Sequence, residues 1–190
     1  MEPRRKDARV RYTRMMVKNS FIRLLQQKSI SKITVKEICD GAQINRATFY
    51  AHFTDPYDLL QQIERELIDA IVQELSGYEM DGQWEFSTEP VVRLLDYIKE
   101  NAEICNLLLN GNGDLEFQKK LTDIIGQQFL PAMTSNSTLS QEDAKYVLAF
   151  CAYGAVGMIK KWMSDGMQKS SALLAQLILN SALRGQTAFE

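Results

Sequence analysis

The sequence predicts an all-α fold of about nine helices, with a three-helix N-terminal domain, a linker helix and a C-terminal helical bundle. Three observations predict it. Apolar residues recur at spacings of three and four, the punctuation marks are helix caps rather than hairpin turns, and no stretch alternates with the period of two that a strand requires. A hydrophobic content of 45% over 190 residues supplies a core without disulfide staples.

The first helix is expected over about Asp7 to Gln27, with Val10, Thr13, Val17, Phe21, Leu24 and Leu25 on one face and Arg11, Arg14, Lys18 and Arg23 around the rest. Thr34-Val35-Lys36-Glu37 is a capping box, in which the Thr34 hydroxyl takes the Glu37 N–H while the Glu37 carboxylate reaches back. It starts a helix of about two turns with Val35 and Ile38 inward. Gln43 and Ile44 make a tight turn, and Asn45 caps a short helix from Arg46 to His52. Thr54-Asp55-Pro56 restarts a helix, because proline at an early helical position loses no hydrogen bond. That helix runs to about Leu75, with Leu59, Leu60, Ile63, Leu67, Ile68, Ile71 and Val72 at helical spacing.

Ser76 to Ser87 is polar and reads as a loop. Thr88-Glu89-Pro90 caps a helix to about Glu100, and Asn101 to Asn110 forms another. After Gly111-Asn112-Gly113, Asp114 opens a helix to about Met133, followed by a polar linker, Thr134 to Thr138. Ser140-Gln141-Glu142-Asp143 starts a long helix ending near Gly166, and Ser170/Ser171 starts the last, ending at Gly185. The expected domain boundary lies between residues 54 and 55.

Charge divides the chain in the same place. Overall, 22 Lys+Arg against 24 Asp+Glu leave a net charge of −2. Residues 1–53 hold 12 basic and 4 acidic residues, a net +8, so the remainder carries −10. A basic first quarter joined to an acidic remainder points to a polyanion-binding module attached to something else.

Two short helices joined by a tight turn, preceded by a longer amphipathic helix in the basic quarter, are the parts of a helix-turn-helix reader of double-stranded DNA. Phe49 and Phe53 lie four apart and pack inward, which leaves Arg46, Ala47, Thr48, Tyr50 and His52 outward. Arg46 suits a bidentate bond to guanine or a phosphate, and the methyls of Ala47 and Thr48 suit thymine. Tyr50 and His52 suit phosphate. Lys36 and Asn45 complete the DNA-facing set. Plain helical bundles also contain two helices and a turn, so spacing and charge alone leave both readings open.

The segment from Ile33 to Phe53, ITVKEICDGAQINRATFYAHF, followed by Asp58-Leu59-Leu60, resembles the DNA-binding domain of the TetR/AcrR family of transcriptional regulators. Gly154-Ala155-Val156-Gly157-Met158-Ile159-Lys160-Lys161-Trp162 with Gly166 is similar to the penultimate helix of a firmicute-type branch of that family. The resemblance implies that Thr34 caps the second helix and holds a phosphate, that Arg46 to Thr48 meet base edges, and that Tyr50 and His52 grip phosphates. Two positions depart from the family pattern. Gln43 stands where a turn glycine is usual, and Pro56 stands where a phosphate-binding lysine is usual, which weakens the expected affinity by roughly one contact.

The helix from Ser140 to Gly166 is apolar over most of its circumference, so one of its faces is expected to meet a second subunit. Gly154 and Gly157 would allow a facing helix to approach. The resemblance implies a four-helix homodimer interface, for which the candidates are Cys151, Gly154, Ala155, Gly157, Met158, Trp162, Leu174, Leu177 and Ile178. A two-fold dimer requires a pseudo-palindromic operator. The resemblance also implies a small apolar or amphipathic ligand inside the bundle that releases DNA. Tyr97, Leu108, Phe129, Met133, Phe150, Tyr153 and Met158 are the candidate lining residues, because methionines and aromatics make adaptable apolar walls.

The expected function is a DNA-binding regulator, acting as a repressor. The competing reading is a TetR-like coactivator that works through a protein partner, favoured by Gln43 and Pro56. An enzyme is not expected, since His52 is the single histidine and no catalytic pair is visible. No cofactor and no metal are expected: Cys39, Cys105 and Cys151 are too scattered for a disulfide framework or a CxxC-type site. The longest nearly apolar run, Val147 to Ile159, is too short to span a membrane, and the charged N-terminus is no signal peptide. The expected compartment is the cytoplasm.

Overall fold

A computed structural model describes residues 3–75, 88–110, 115–135 and 140–186; the side chains of residues 3–7, 110, 115–116, 128–135 and 183–186 fall outside that description. The described residues form nine α-helices and one 3-10 turn, with no strand among them. The helices are α1 (Pro3–Leu25), α2 (Val35–Ala42), α3 (Arg46–Tyr50), α4 (Pro56–Leu75), α5 (Glu89–Glu100), α6 (Ala102–Asn110), α7 (Leu115–Ser135), α8 (Gln141–Ser164) and α9 (Ser171–Gln186). The chain divides into two compact units, Met1–Leu67 and Ile68–Glu190. The expected boundary at 54/55 marks the start of α4, whereas the units part within that helix. The reason is burial: Leu59, Ile63 and Leu67 of α4 lie in the core, and Gln62 and Glu66 bond to side chains of α1.

The N-terminal unit forms around Val17, Phe21, Ile38, Phe49, Phe53 and Leu59, all fully buried or nearly so. α1 begins earlier than the apolar stripe suggests, at Pro3, and Val10 is exposed. α1 and α2 approach closely at one point, where the buried Ser20 hydroxyl donates to the Ile38 carbonyl at 2.9 Å. Gly41 makes that approach possible, because a Cβ there would collide with the Ser20 hydroxyl. A 3-10 turn, Ile30–Lys32, joins α1 to α2, with Ser29 at its N-cap making no side-chain cap bond.

Gln43 sits at φ 54°, ψ 42°, the left-handed region, and closes α2 with its N–H on the Asp40 carbonyl. This is the strain expected when a residue with a Cβ replaces a turn glycine. Gln43→Gly is expected to raise stability by roughly 0.5–1 kcal/mol, the left-handed cost less the extra entropy of glycine when unfolded. An unchanged or lower melting temperature would show that the Gln43 side chain contributes more than its backbone costs.

In the second unit, α7 packs on α8, α5 on α9, and α8 on α9. α8 turns Ala144, Leu148, Ala152, Val156 and Met163 into the core. α5 turns Val91, Leu94, Leu95 and Ile98 inward, and the buried Ser171 hydroxyl at the start of α9 donates to Asp96 of α5 at 2.5 Å. Gly166 and Met167, both left-handed, end the α8 segment and let the Trp162 indole N–H reach the Lys169 carbonyl at 2.9 Å. No helix among the described residues is long and apolar enough to cross a membrane.

Candidate nucleic-acid interface

The site begins with two helix caps that the local sequence dictates. Thr34 accepts from the Glu37 N–H at 3.3 Å, and the Thr34 N–H donates to Glu37 Oε2 at 3.0 Å, completing the capping box. Lys28 Nζ adds a bond to Glu37 Oε1 at 2.5 Å. The Lys28 ammonium, followed by the Thr34 backbone and hydroxyl, holds the Glu37 carboxyl down at about 2. The Thr34 hydroxyl proton is committed to Glu37 Oε2 at 2.8 Å, so a phosphate there competes with a carboxylate for it.

A carboxyl whose folded value lies below its unfolded value stabilises the fold above about pH 4.5, and that contribution is lost as pH falls toward 2. Glu37→Gln is therefore expected to flatten the acid limb of the stability curve between those values. Chemical denaturation at several pH values checks it; parallel limbs for the variant and wild type would refute the assignment.

Asn45 caps α3, its Oδ1 accepting from the Thr48 N–H at 2.7 Å and the Thr48 hydroxyl at 2.9 Å. α3 is shorter than the spacing predicts and ends at Tyr50, with Ala51 and His52 in the turn that follows. Its inward side is Phe49, whose ring lies 5.5 Å from that of Phe53 and edge-on to Tyr50 at 5.6 Å. Its outward side carries Arg46, Ala47 and Tyr50, all exposed, with Thr48 and His52 half-buried. Thr34, Lys36 and Asn45 lie at the surface and are all exposed. The outward set can offer a guanidinium fork, two methyl groups and a phenol to a groove.

The start of α4 differs from the rest in charge. Asp55 Oδ1 accepts from the N–H groups of Tyr57 and Asp58, and Asp58 Oδ2 accepts from the Thr54 N–H, each at 2.8 Å. The Thr54 N–H, then Gln62, holds the Asp58 carboxyl below its usual range. The sequence pointed to Pro56 here and missed this reciprocal cap, whose signal was the Asp55 to Asp58 spacing. It also missed Arg14, whose guanidinium stacks 5.3 Å from the centre of the Phe53 ring.

The other candidate residues fall into two groups. Of the expected dimer set, Gly154, Gly157 and Leu177 are exposed, and Cys151, Ala155 and Met158 are half-buried. Trp162, Leu174 and Ile178 are buried within their own chain, so they do not form an outward surface. Of the expected pocket set, Leu108 is buried and Tyr97 and Met158 are half-buried, while the side chains of Phe129 and Met133 lie outside the described residues. Phe150 and Tyr153 do not face the interior: they are 77% and 57% exposed. They join Tyr146, 74% exposed, on the side of α8 opposite Ala144, Leu148 and Val156. Burial pushes all three thiols up, Cys105 to about 12, so they are protonated at neutral pH.

Two family models match the chain. One, bacterial regulatory proteins of the tetR family, covers residues 22–63, and the other, a TetR-type transcriptional regulator C-terminal region, covers residues 87–183. The chain belongs to the TetR family. Its N-terminal unit is the helix-turn-helix, DNA-binding module of that family. The HTH-type transcriptional regulator YxbF of Bacillus subtilis (strain 168) is 19% identical over 167 residues, 85% of this chain. The chain spans less than half, 42%, of the length of that relative. A TetR transcriptional regulator from Streptococcus agalactiae 2603V shares the fold at a TM-score of 0.64, with 22% identity over 93% of this chain and 97% of that one. The dihydroxyacetone kinase operon activator DhaS shares it at 0.60, with 20% identity over 94% and 98%. The TetR-family fold thus extends over both units.

Proposed function

We propose that this TetR-family chain is a sequence-specific transcriptional regulator that binds a pseudo-palindromic operator as a homodimer, one α3 in each major groove. The observation that carries the reading is the two-sidedness of α3. Phe49 and Phe53 anchor its inner side, while Arg46, Ala47 and Tyr50 stand clear of the core on the other. A helix so short is held by packing and caps rather than by its own propensity, which is what a base reader presented from a rigid support needs.

The dimer reading draws on the second unit. Tyr146, Phe150, Tyr153 and Gly157 follow the spacing i, i+4, i+7, i+11 and form one exposed stripe along α8. Leu173 and Leu177, more than two-fifths exposed, lie one turn apart on α9. Exposed aromatics and leucines at helical spacing mark an association surface. The two-fold axis of such a dimer sets the operator symmetry, with half-sites about 34 Å apart or a multiple of that.

Selection of the wild type against a random duplex pool at fixed, physiological salt is expected to enrich a two-fold sequence. Failure to enrich any such site would sink the proposal and favour a regulator acting through a protein partner. Arg46→Ala is expected to cost roughly 1–3 kcal/mol of operator affinity and relax preference at one base position per half-site. A loss of the same size on every duplex would instead make Arg46 a phosphate contact.

A further inference from the structure

The exit of α3 is held by a ladder of polar side chains. Asp58, Gln62 and Glu66 lie four apart on one face of α4, and Arg14 and Lys18 lie four apart on the facing side of α1. Arg14 Nη2 donates to Gln62 Oε1 at 3.0 Å and to Glu66 Oε1 at 3.1 Å, and Lys18 pairs with Glu66 Oε2. Gln62 Nε2 donates to both Asp58 oxygens, at 3.1 and 3.2 Å, and to the His52 carbonyl at 3.4 Å. Asp58 in turn takes the Thr54 N–H, and the Arg14 guanidinium covers the Phe53 ring.

We infer that Gln62 is a positioning residue for DNA reading: its amide joins α1, α4 and the His52–Thr54 exit of α3, and so sets the angle at which α3 is presented. The inference rests on α3 being the base reader.

The chemistry singles out an amide. Arg14 can only donate and the Asp58 carboxylate can only accept, so the side chain between them must accept on one side and donate on the other. A glutamate at position 62 lacks the donor, a lysine lacks the acceptor, and a leucine lacks both. The same constraint fixes which end of the Gln62 amide faces which partner. The orphaned carbonyls at the end of a one-turn helix have few partners of their own, so a bond to the His52 carbonyl acts on the exit of the reader directly.

The test uses the full chain as wild type, Gln62→Glu, the double variant Asp58→Asn/Gln62→Glu, and Arg46→Ala. Each is titrated by fluorescence anisotropy against the selected operator and against a shuffled duplex of equal length at one salt concentration, with thermal melts alongside. Gln62→Glu adds a charge that acts on both duplexes alike, so the readout is the ratio of the two affinities. That ratio is expected to fall about tenfold in Gln62→Glu, the scale of one hydrogen bond to a charged group. It is expected to recover part of that loss in the double variant. There the introduced asparagine keeps its Oδ1 on the Thr54 N–H and turns its Nδ2 toward the introduced glutamate, which remakes the 58–62 bond with its polarity reversed but leaves the His52 carbonyl without its donor.

The exchanges at positions 58 and 62 leave side-chain size almost unaltered, so a role in packing alone predicts neither the loss nor the recovery. A wild-type ratio in Gln62→Glu, or a double variant no better than the single one, overturns the inference. So does a lowered melt with equal losses on both duplexes, which makes Gln62 a stability residue. If Arg46→Ala keeps the wild-type ratio, or the wild type shows no preference, the reading of α3 has failed and the inference falls with it.

Discussion

Gly157→Trp is expected to leave the chain folded and turn a dimer into a monomer. Gly157 is exposed on the α8 stripe, and a Cβ built on it meets nothing within 4 Å, so a single chain has room for a larger side chain. A mate packed against the same stripe does not. Two-fold symmetry presents every change twice, once from each subunit. With overpacking at about 1–3 kcal/mol per site, the dissociation constant is expected to rise about a hundredfold or more. Sedimentation at micromolar concentration reads the mass, and circular dichroism confirms that the helices remain. Operator affinity should fall with the mass, since two half-sites are no longer engaged together. A Gly157→Trp protein that still sediments as a dimer would remove α8 from the interface. Such a result would leave Phe150 and Tyr153 exposed with no partner to explain them.

Capping is what made much of this fold legible in sequence. The Thr34 and Glu37 box, the Asn45 cap and the Ser140 cap all depend on residues three apart, and all three form as the spacing predicts. The left-handed Gln43 was readable only through the resemblance, which implies a glycine at that turn position. What the sequence left open concerns partners far away in the chain. Arg14 and Gln62 are 48 positions apart, and nothing local to either announces the other. On α8 the difficulty is different: the helix is apolar on both sides, so its pattern does not say which side meets the core and which meets solvent or a mate. That ambiguity puts Trp162 outside in the sequence reading and Phe150 and Tyr153 inside, and the leucine-rich pattern of α9 likewise puts Leu174 and Ile178 outside. The aromatic spacing at 146, 150 and 153 was the available signal, since three large rings on one stripe belong together on one face.

Phe49→Ala is expected to destabilise the N-terminal unit by about 3–5 kcal/mol and abolish operator binding. Phe49 is fully buried, and its ring packs on Phe53 and edge-on to Tyr50. α3 has five residues, too few to hold a helix unaided, so its stability comes from this packing and from the Asn45 cap. Removing the ring leaves a cavity beneath the reader, in a unit whose total stability is of order 5–15 kcal/mol. The melt should therefore show an early transition belonging to the N-terminal unit while the helices of the second unit persist, and sedimentation should still report the wild-type mass. Phe49→Leu, which keeps most of the buried volume, should lose less stability than the alanine variant and retain measurable operator affinity. The pair separates support from reading, because Arg46→Ala removes an exposed side chain and should lose affinity at an unchanged melting temperature. If Phe49→Ala instead melted like the wild type and lost only affinity, the ring would be turned toward DNA. The two-sided description of α3 would then be wrong, because Arg46 and Phe49 would have to share the face that meets the groove.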